Sequence, residues 1–225
     1  MGKGGAVDGG FRNRRTREAV LNIRSMPLDR SFYLQEDVVL ASRALLGKVI
    51  ATGAEPQRTT GIITETEAYA GVIDRASHAF GGRRTRRNGM MYARGGTAYV
   101  YLCYGIHNLF NVVTNVEDVP HAILIRAVQP LEGVEVMRAR RSMNGKPLPG
   151  RPLADGPGTL TAALGIDLSH NGLDLTTSMI TIEDRGFVVP ERAIIVGPRI
   201  GVEYAKADAL LPYRFRVVRD HSFAA

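Results

Sequence analysis

Two glutamates lie two residues apart in the segment GIITETEAY, residues 61–69. Alternate side chains of an extended strand point to the same side. One face of this strand is therefore predicted to carry Ile63, Glu65, Glu67 and Tyr69. A carboxylate is costly to bury without a partner, and paired carboxylates in proteins act as acids, as bases or as metal ligands. The pair therefore indicates either a chemical site or, more simply, a solvated sheet edge.

Arginines follow the two glutamates in the chain. Residues 75–94 contain six arginines and no acidic residue, and residues 1–24 contain six basic residues and two acidic ones. These segments carry +6 and +4, so the remaining positions sum to −3 of the net charge of +7. Focused positive charge is typical of a surface that binds phosphates, and the planar arginine fork suits them. We therefore favour a nucleic-acid ligand over a merely solvated basic face.

Length and composition exclude several classes of protein. A chain of 225 residues is long enough for one substantial core. It contains no apolar run long enough to span a bilayer and no signal-peptide pattern, so an intracellular protein without a membrane partner is expected. The single cysteine, Cys103, excludes an intrachain disulfide and paired-cysteine metal sites. The five histidines form no helical pair. We expect neither a metal nor an organic cofactor.

The pattern of elements predicts one α+β domain over residues 28–225, after a basic, disordered arm over residues 1–27. Its mainly antiparallel curved sheet is predicted to have flanking helices and a protruding β-hairpin. The helices are expected near residues 36–46 and in the segments GVEVMRARR and TLTAALGI. The hairpin is the strongest strand signal, TAYVYLCYGIHNLFNVVTNV, with its tip near Tyr104–His107. A further strand, HAILIRAVQPL, is expected to end at Pro130.

Several stretches together resemble the alkyladenine (3-methyladenine) DNA glycosylase family. They are LLGK (45–48), ETEAY (65–69), SHAFGGRRTRRNGMMYARGGTAYVYLCYGIHNLFNVV (77–113), ILIRAVQPLEG (123–133) and DGPGTLTAALGI (155–166). The resemblance covers about residues 28–219. It implies a monofunctional enzyme that flips damaged purines out of duplex DNA and hydrolyses the N-glycosidic bond with a carboxylate-activated water. Alkylated purines are the implied substrates, with deaminated purines as further candidates, and excision starts base-excision repair.

The resemblance also implies roles for individual residues. Glu67 matches the general base, and Arg126 matches the arginine that helps to hold the attacking water. The implied pocket for the flipped base consists of Tyr69, His78, Tyr101, Asn111 and Leu124, where Asn111 would crowd the 2-amino group of guanine. Tyr104 matches the residue that fills the hole left in the duplex, with Ile106 beside it. The expected phosphate contacts are Arg83, Arg84, Arg86 and Arg87.

Other interpretations of the same residues remain open at this stage. Arg126 could simply form a salt bridge to Glu65 or Glu67, and Tyr104 could fold back on the sheet. A magnesium nuclease could use Glu65, Glu67 and Asp74, and a non-catalytic protein could bind single strands through its arginines and tyrosines. No lysine lies in the motif region, so a Schiff-base lyase is not expected. The expected partner is duplex DNA, bound by a monomer.

Overall fold

The computed structural model describes residues 26–142, 150, 152–218 and 223. Its strands are β1 (Met26–Pro27), β2 (Val49–Thr52), β3 (Thr59–Tyr69), β4 (Ala98–Cys103), β5 (His107–Thr114), β6 (His121–Glu132), β7 (Ile180–Asp184), β8 (Ile194–Gly197) and β9 (Arg214–Val217). Its α-helices are α1 (Arg30–Tyr33), α2 (Val38–Ala44), α3 (Val134–Arg140) and α4 (Pro157–Leu164). Residues 1–25 of the predicted arm lie outside the described residues, whereas Met26 and Pro27 form β1.

The strands form one curled antiparallel sheet. Its main path runs β1–β7–β2–β3–β6–β5–β4, and β9 pairs with both β3 and β8. The long strands β3 and β6 lie at the centre, and β4 and β5 extend from them as the predicted hairpin. The expected α+β fold with a mainly antiparallel sheet is confirmed. No helix in the described ranges is long and apolar enough to cross a membrane.

The main core lies between the sheet and the helices α2 and α4. Asp37 caps α2 by accepting hydrogen bonds from the amides of Val39 and Leu40, so the helix begins at Val38 rather than at residue 36. Pro157 stands in the first turn of α4, and Gly165 ends the helix with a φ of 70°. These signals fix the ends of two helices that support the centre of the sheet.

A β-bulge changes the face on which the side chains of β3 lie. The register against β6 shifts between Ile63 and Glu65, where Thr64 is the extra residue. Ile63 therefore packs in the main core together with Ala68, while Glu65 lies on the opposite face. The prediction that Ile63 shares a face with the glutamates is wrong, because simple alternation does not allow for the inserted residue.

Strand β6 continues through Pro130 to Glu132, so the prediction that Pro130 ends the strand is also wrong. Pro130 lies opposite Gly61 of β3. On its other side β6 pairs with β5 only over residues 121–124. Near Pro130 that side of β6 is a sheet edge, where proline is tolerated because no ladder bond needs its missing N–H.

The segment between β3 and β4 contains three short 3-10 helices, Gly71–Ile73, Phe80–Gly82 and Gly89–Tyr92. Ala76, Ala79 and Met91 of this segment are buried. Residues 70–96 therefore form a segment that packs against the sheet.

Candidate active site

One row of residues crosses five strands at the centre of the site. Tyr99 pairs with Asn111, Asn111 with Leu124, Leu124 with Glu67, and Glu67 with Arg214. Directly paired residues of antiparallel strands place their side chains on the same face. Four of the five are buried, namely Glu67, Leu124, Asn111 and Tyr99. The sheet thus brings residues that are distant in the sequence onto one surface.

Glu67 has no exposed surface and is held by three donors. Its Oε1 accepts a hydrogen bond from the Ile200 amide at 2.9 Å and lies 3.2 Å from Nη1 of Arg126. Its Oε2 accepts a hydrogen bond of 2.9 Å from the Tyr69 hydroxyl. The carboxylate is therefore fixed in orientation by two strands and by the segment that contains Ile200.

Arg126 ion-pairs with both glutamates of β3. A second register shift between β3 and β6 leaves Arg126 without a directly paired partner, between Ala127 and Ile125. Its Nε lies 2.9 Å from Oε1 of Glu65, which is also bound by Arg214 at 3.0 Å. A bulge re-aims a side chain in this way. The salt bridges to Glu65 and Glu67, which were the alternative interpretation of Arg126, are therefore present. Arg126 also lines the cavity described below.

The environment of Glu67 raises its pKa above the ordinary value for a glutamate. Burial is the largest cause, because it disfavours the charged form, and the neighbouring Glu65 acts in the same direction. Arg126, the Ile200 amide and the Tyr69 hydroxyl oppose this by stabilising the carboxylate. A raised pKa makes this carboxylate a stronger base than an exposed glutamate.

A cavity of about 650 Å³ opens beside these residues. All five residues predicted for the base pocket line it: Tyr69, His78, Tyr101, Asn111 and Leu124. Arg126, Ile200 and Tyr204 also contribute to its wall, whereas Glu67 lies immediately behind Tyr69 and Ile200. The structure therefore brings the predicted pocket residues together around one space, with the carboxylate one contact away from it.

Three aromatic side chains form one wall of the cavity. The His78 and Tyr101 rings lie 4.7 Å apart and nearly perpendicular, and His78 Nδ1 lies 2.8 Å from the Tyr99 hydroxyl. Burial, followed by the charges of Arg87 and Arg83, lowers the pKa of His78, so its ring is neutral at pH 7. None of the hydrogen bonds within the described ranges uses the backbone N–H of His78. This backbone donor is therefore available to a ligand.

Asn111 is buried and fixed by the hairpin. Its Nδ2 donates a hydrogen bond of 3.0 Å to the carbonyl oxygen of Tyr99 on the neighbouring strand. This bond sets the orientation of the amide group against the cavity. A rigid, buried polar group at such a position can reject ligands by steric exclusion.

The hairpin tip carries two exposed apolar side chains. Tyr104 is 89% exposed and Ile106 is 72% exposed, so Tyr104 does not fold back on the sheet. Tyr104 has a φ of 50° and Gly105 a φ of 73°, and the Ile106 amide donates to the Cys103 carbonyl oxygen. Two positive φ angles with this bond are the pattern of a type I′ turn. A tyrosine at positive φ is strained.

All four arginines predicted to contact phosphates are exposed. Arg84 pairs with Asp118 at 2.7 Å, and its Cζ lies 4.6 Å from the centre of the Tyr92 ring. Arg87 lines the cavity mouth, with its Cζ 5.4 Å from the centre of the Tyr101 ring and a hydrogen bond to the carbonyl oxygen of Leu102. Arg84 and Arg87 are thus partly engaged within the protein, whereas Arg83 and Arg86 extend from the surface.

Comparison of the sequence with known proteins identifies its family. Residues 31–221 match the model of the family described as methylpurine-DNA glycosylase. The chain belongs to the methylpurine-DNA glycosylase family. A Chlamydia abortus protein provisionally named 3-methyladenine DNA glycosylase is 47% identical over 188 residues, which cover 84% of this chain and 96% of that protein. A Clostridium perfringens protein with the same provisional name is 38% identical over 205 residues, 89% and 99% of the two chains.

Membership of the methylpurine-DNA glycosylase family makes the chain a hydrolase that acts on DNA. A non-catalytic binder of single strands is therefore excluded. The magnesium nuclease also lacks support in the geometry, since Glu65, Glu67 and Asp74 are all ion-paired with arginines. Within the described ranges no group of three or more His, Cys, Asp or Glu residues could hold a metal ion.

The sequence does not predict several residues of this candidate site. Ile200 and Arg199 lie more than 130 residues after Glu67, in the segment between β8 and the following 3-10 helix, Glu203–Leu210. The sequence suggests Asp74 only as a metal ligand, but it forms a buried ion pair with Arg199. Nothing local in the sequence indicates that these residues meet, because only the fold of the complete sheet brings them together.

Proposed function

We propose that this glycosylase excises alkylated purines such as 3-methyladenine from duplex DNA, by flipping the nucleotide into the cavity and activating water with Glu67. The observation that carries the proposal is the contact between the cavity wall and the buried carboxylate. Tyr69 lines the cavity, and its hydroxyl donates a hydrogen bond to Glu67. A base resting on that ring would therefore have its sugar close to the carboxylate.

The size and lining of the cavity suit a nucleobase. A volume of about 650 Å³ lies within the range of pockets that bind small organic groups. Tyr69, Tyr101 and His78 offer flat surfaces on which an extruded base can stack, and stacking contributes about 1–3 kcal/mol per base. This is comparable to the cost of unstacking a base from the duplex. The pocket can therefore offset the cost of flipping.

Glu67 retains the capacity to bind the attacking water. A carboxylate offers about four lone-pair sites, of which the Ile200 amide, Arg126 and the Tyr69 hydroxyl use three. The remaining site on Oε2 can accept one proton of a water molecule that attacks C1′ of the deoxyribose. The negative charge also stabilises the oxocarbenium-like transition state of glycosidic cleavage.

The water needs a path to Glu67, because the carboxylate has no exposed surface. Tyr69 and Ile200 are the cavity residues that cover it. We therefore expect the half-exposed Ile200 side chain to shift when the nucleotide enters. Such tightening and rearrangement on substrate binding is common for catalytic hydrogen bonds.

The charge of the leaving base sets the substrate range. A nucleotide alkylated at a ring nitrogen carries a cationic base, which is a good leaving group and needs little acid assistance. A neutral base such as hypoxanthine needs protonation or tighter binding, and His78 is neutral at pH 7 because its pKa is lowered. Cationic alkylated purines are therefore the better substrates. Asn111 spares normal guanine by crowding its 2-amino group.

The reaction stops at the abasic site. A glycosylase that also cleaves the DNA strand uses an amine nucleophile to form a Schiff base. Within the described ranges no lysine lines the cavity. Hydrolysis by water leaves the sugar–phosphate strand intact, so the enzyme is monofunctional. The exposed Tyr104 at the hairpin tip occupies the space that the flipped nucleotide leaves in the duplex.

The experiment compares duplexes that carry 3-methyladenine, 7-methylguanine, hypoxanthine or ethenoadenine at one position. The protein is incubated with each duplex, and the released bases are separated by chromatography, with and without a chelator. We expect free 3-methyladenine, an uncut strand, and no effect of the chelator. Strand cleavage without base release, abolished by the chelator, would instead support the nuclease.

A further inference from the structure

Asp74 and Arg199 form a buried ion pair behind the wall of the cavity. Their side chains are 1% and 0% exposed, both carboxylate oxygens face the guanidinium, and Nη2 lies 2.8 Å from Oδ1. Neither residue lines the cavity. A buried ion pair is weak evidence for stability, because desolvation of both charges offsets their attraction. Its position suggests a different role.

The pair ties the end of β3 to the segment that leads to His78. Nη1 of Arg199 donates a hydrogen bond of 2.9 Å to the carbonyl oxygen of Ala68, the residue between Glu67 and Tyr69. Asp74 in turn accepts hydrogen bonds from the amides of Ala70 and Ala76, at 3.0 and 2.9 Å. One ion pair thereby fixes the backbone on both sides of Tyr69 and shortly before His78.

Arg199 also lies beside two of the three groups that contact Glu67, Tyr69 and Ile200. Its Cζ lies 4.9 Å from the centre of the Tyr69 ring, within the range of a cation–π contact. The next residue is Ile200, whose amide donates to Oε1 of Glu67. The Ile200 side chain is half exposed, so its own packing holds the amide only weakly. The buried side chain of Arg199, one residue away, is the stronger anchor.

We infer that the Asp74–Arg199 pair positions the general base, by keeping the Ile200 amide on Glu67 and the Tyr69 ring against the cavity. Neither residue touches the reacting atoms, so both act through Glu67 and Tyr69. The inference rests on the proposed function of Glu67. On this inference, Asp74 and Arg199 hold the Glu67 carboxylate in the one orientation in which it can direct a water at the sugar.

The positioning role has a consequence for the protonation of Glu67. The groups that face this carboxylate are Glu65 and Tyr69 from β3, Arg126 from β6, Arg214 of β9 through Glu65, and the Ile200 amide, and the charge of Arg199 also acts on it. The amide is one of the contacts that lower the pKa of Glu67, against burial and Glu65, which raise it. If the amide moves away, the pKa of Glu67 rises further.

The test uses the full chain with Asp74→Asn and Arg199→Met, and with Glu183→Gln as the matched control. Glu183 is also a buried carboxylate in an ion pair, with Arg58 and Arg185, but none of these three lines the cavity. The pKa of Glu67 is followed by carbon-13 NMR of its carboxyl group, which requires no activity. Base release is measured under single-turnover conditions across pH, together with duplex affinity.

In both site variants we expect the pKa of Glu67 to rise by on the order of half a unit or more. In Arg199→Met the lost positive charge contributes to this rise, so Asp74→Asn, which removes no positive charge, isolates the positioning effect. The acidic limb of the rate profile should move in the same direction, and the maximal rate should fall about tenfold or more, with affinity little changed. Glu183→Gln should lower stability but leave unchanged both the pKa of Glu67 and the pH at which the rate falls.

A folded Asp74→Asn protein with the wild-type pKa of Glu67 and an unmoved rate limb would overturn the inference, whatever its stability. If Arg199→Met does not fold, Asp74→Asn decides alone; if neither folds, the pair is a folding determinant and the inference fails. Failure of the wild-type protein to release any base would contradict the proposed function instead. The NMR titration would still show whether the Asp74–Arg199 pair controls the pKa of Glu67.

Discussion

Arg126 and Glu67 meet across neighbouring strands, with 3.2 Å between Nη1 and Oε1, and neither side chain is more than 12% exposed. Arg126 reaches this position because a bulge turns it toward the two glutamates of β3. The arginine stabilises the carboxylate as an anion, while burial makes that anion more basic than usual. The chemistry proposed for the site depends on this balance.

The rate of base release should fall at a pH above the ordinary range for a glutamate. Since burial raises the pKa of Glu67, the base becomes protonated and inactive earlier as pH is lowered. We expect the single-turnover rate of base release to fall as pH is lowered, with the uptake of one proton and a midpoint above about pH 4.5. Release that stays constant down to pH 4 would show that Glu67 does not act as the base.

Arg126→Met should move that limb to still higher pH. The substitution removes the charge that most strongly opposes the rise of the Glu67 pKa. Arg126→Lys, which keeps a positive charge, is the matched control and should move the limb less. Glu65 retains Arg214 as a partner in both variants, so the sheet is expected to fold. An identical limb in both variants would contradict the proposed electrostatic role.

Glu67→Gln should stabilise the protein at neutral pH. A carboxyl group whose pKa is raised by folding contributes stability below its unfolded pKa, and this contribution is lost as pH rises through the folded value. The glutamine variant cannot lose it. In urea unfolding, its advantage over the wild type should be present at pH 7–8 and shrink toward pH 4. Equal stability at every pH would show that the pKa of Glu67 is not raised.

Tyr104→Asn should preserve stability and impair excision from duplex DNA. The exposed ring contributes little packing, and asparagine tolerates the positive φ of 50° better than tyrosine. The free energy of unfolding should be unchanged or higher by up to about 1 kcal/mol. Base release should fall on paired duplex and much less on single strands. Tyr104→Phe keeps the ring and should behave like the wild type; equal losses in both variants would exclude the wedge role.

Arg83→Ala and Arg86→Ala should each weaken DNA binding and reduce its dependence on salt. Removing one arginine–phosphate interaction lowers the slope of log affinity against log salt by about one. Arg192→Ala is a suitable control, since Arg192 is also exposed but lies outside both the cavity and the segment between β3 and β4 that contains Arg83 and Arg86. Equilibrium binding between low and moderate salt measures the slopes. A slope that no substitution changes would remove these arginines from the interface.

The sequence predicts those parts of the site that are set by local pattern. Alternation along β3 correctly places Glu67 and Tyr69 on one side, where the Tyr69 hydroxyl binds the carboxylate. The strand–turn–strand signal around Tyr104 locates the hairpin tip. In both cases neighbouring residues alone determine the geometry.

Bulges and distant pairings are not visible in a local pattern. The extra residue Thr64 reverses the face of Ile63, and a second register shift aims Arg126 at the glutamates. Asp74 meets Arg199, 125 residues later in the chain, only because the complete sheet brings their segments together. Alternation assumes a regular strand, and it carries no information on which segments become neighbours.

The catalytic role of Glu67 is tested most simply by single-turnover release of a methylated purine from one duplex by the wild-type protein and by Glu67→Gln. Affinity for the same duplex is measured in parallel. If Glu67 is the general base, Glu67→Gln should bind the damaged duplex with little change but release base about 10²- to 10⁴-fold more slowly. Release at the wild-type rate by the glutamine variant would contradict the assignment of Glu67 as the general base.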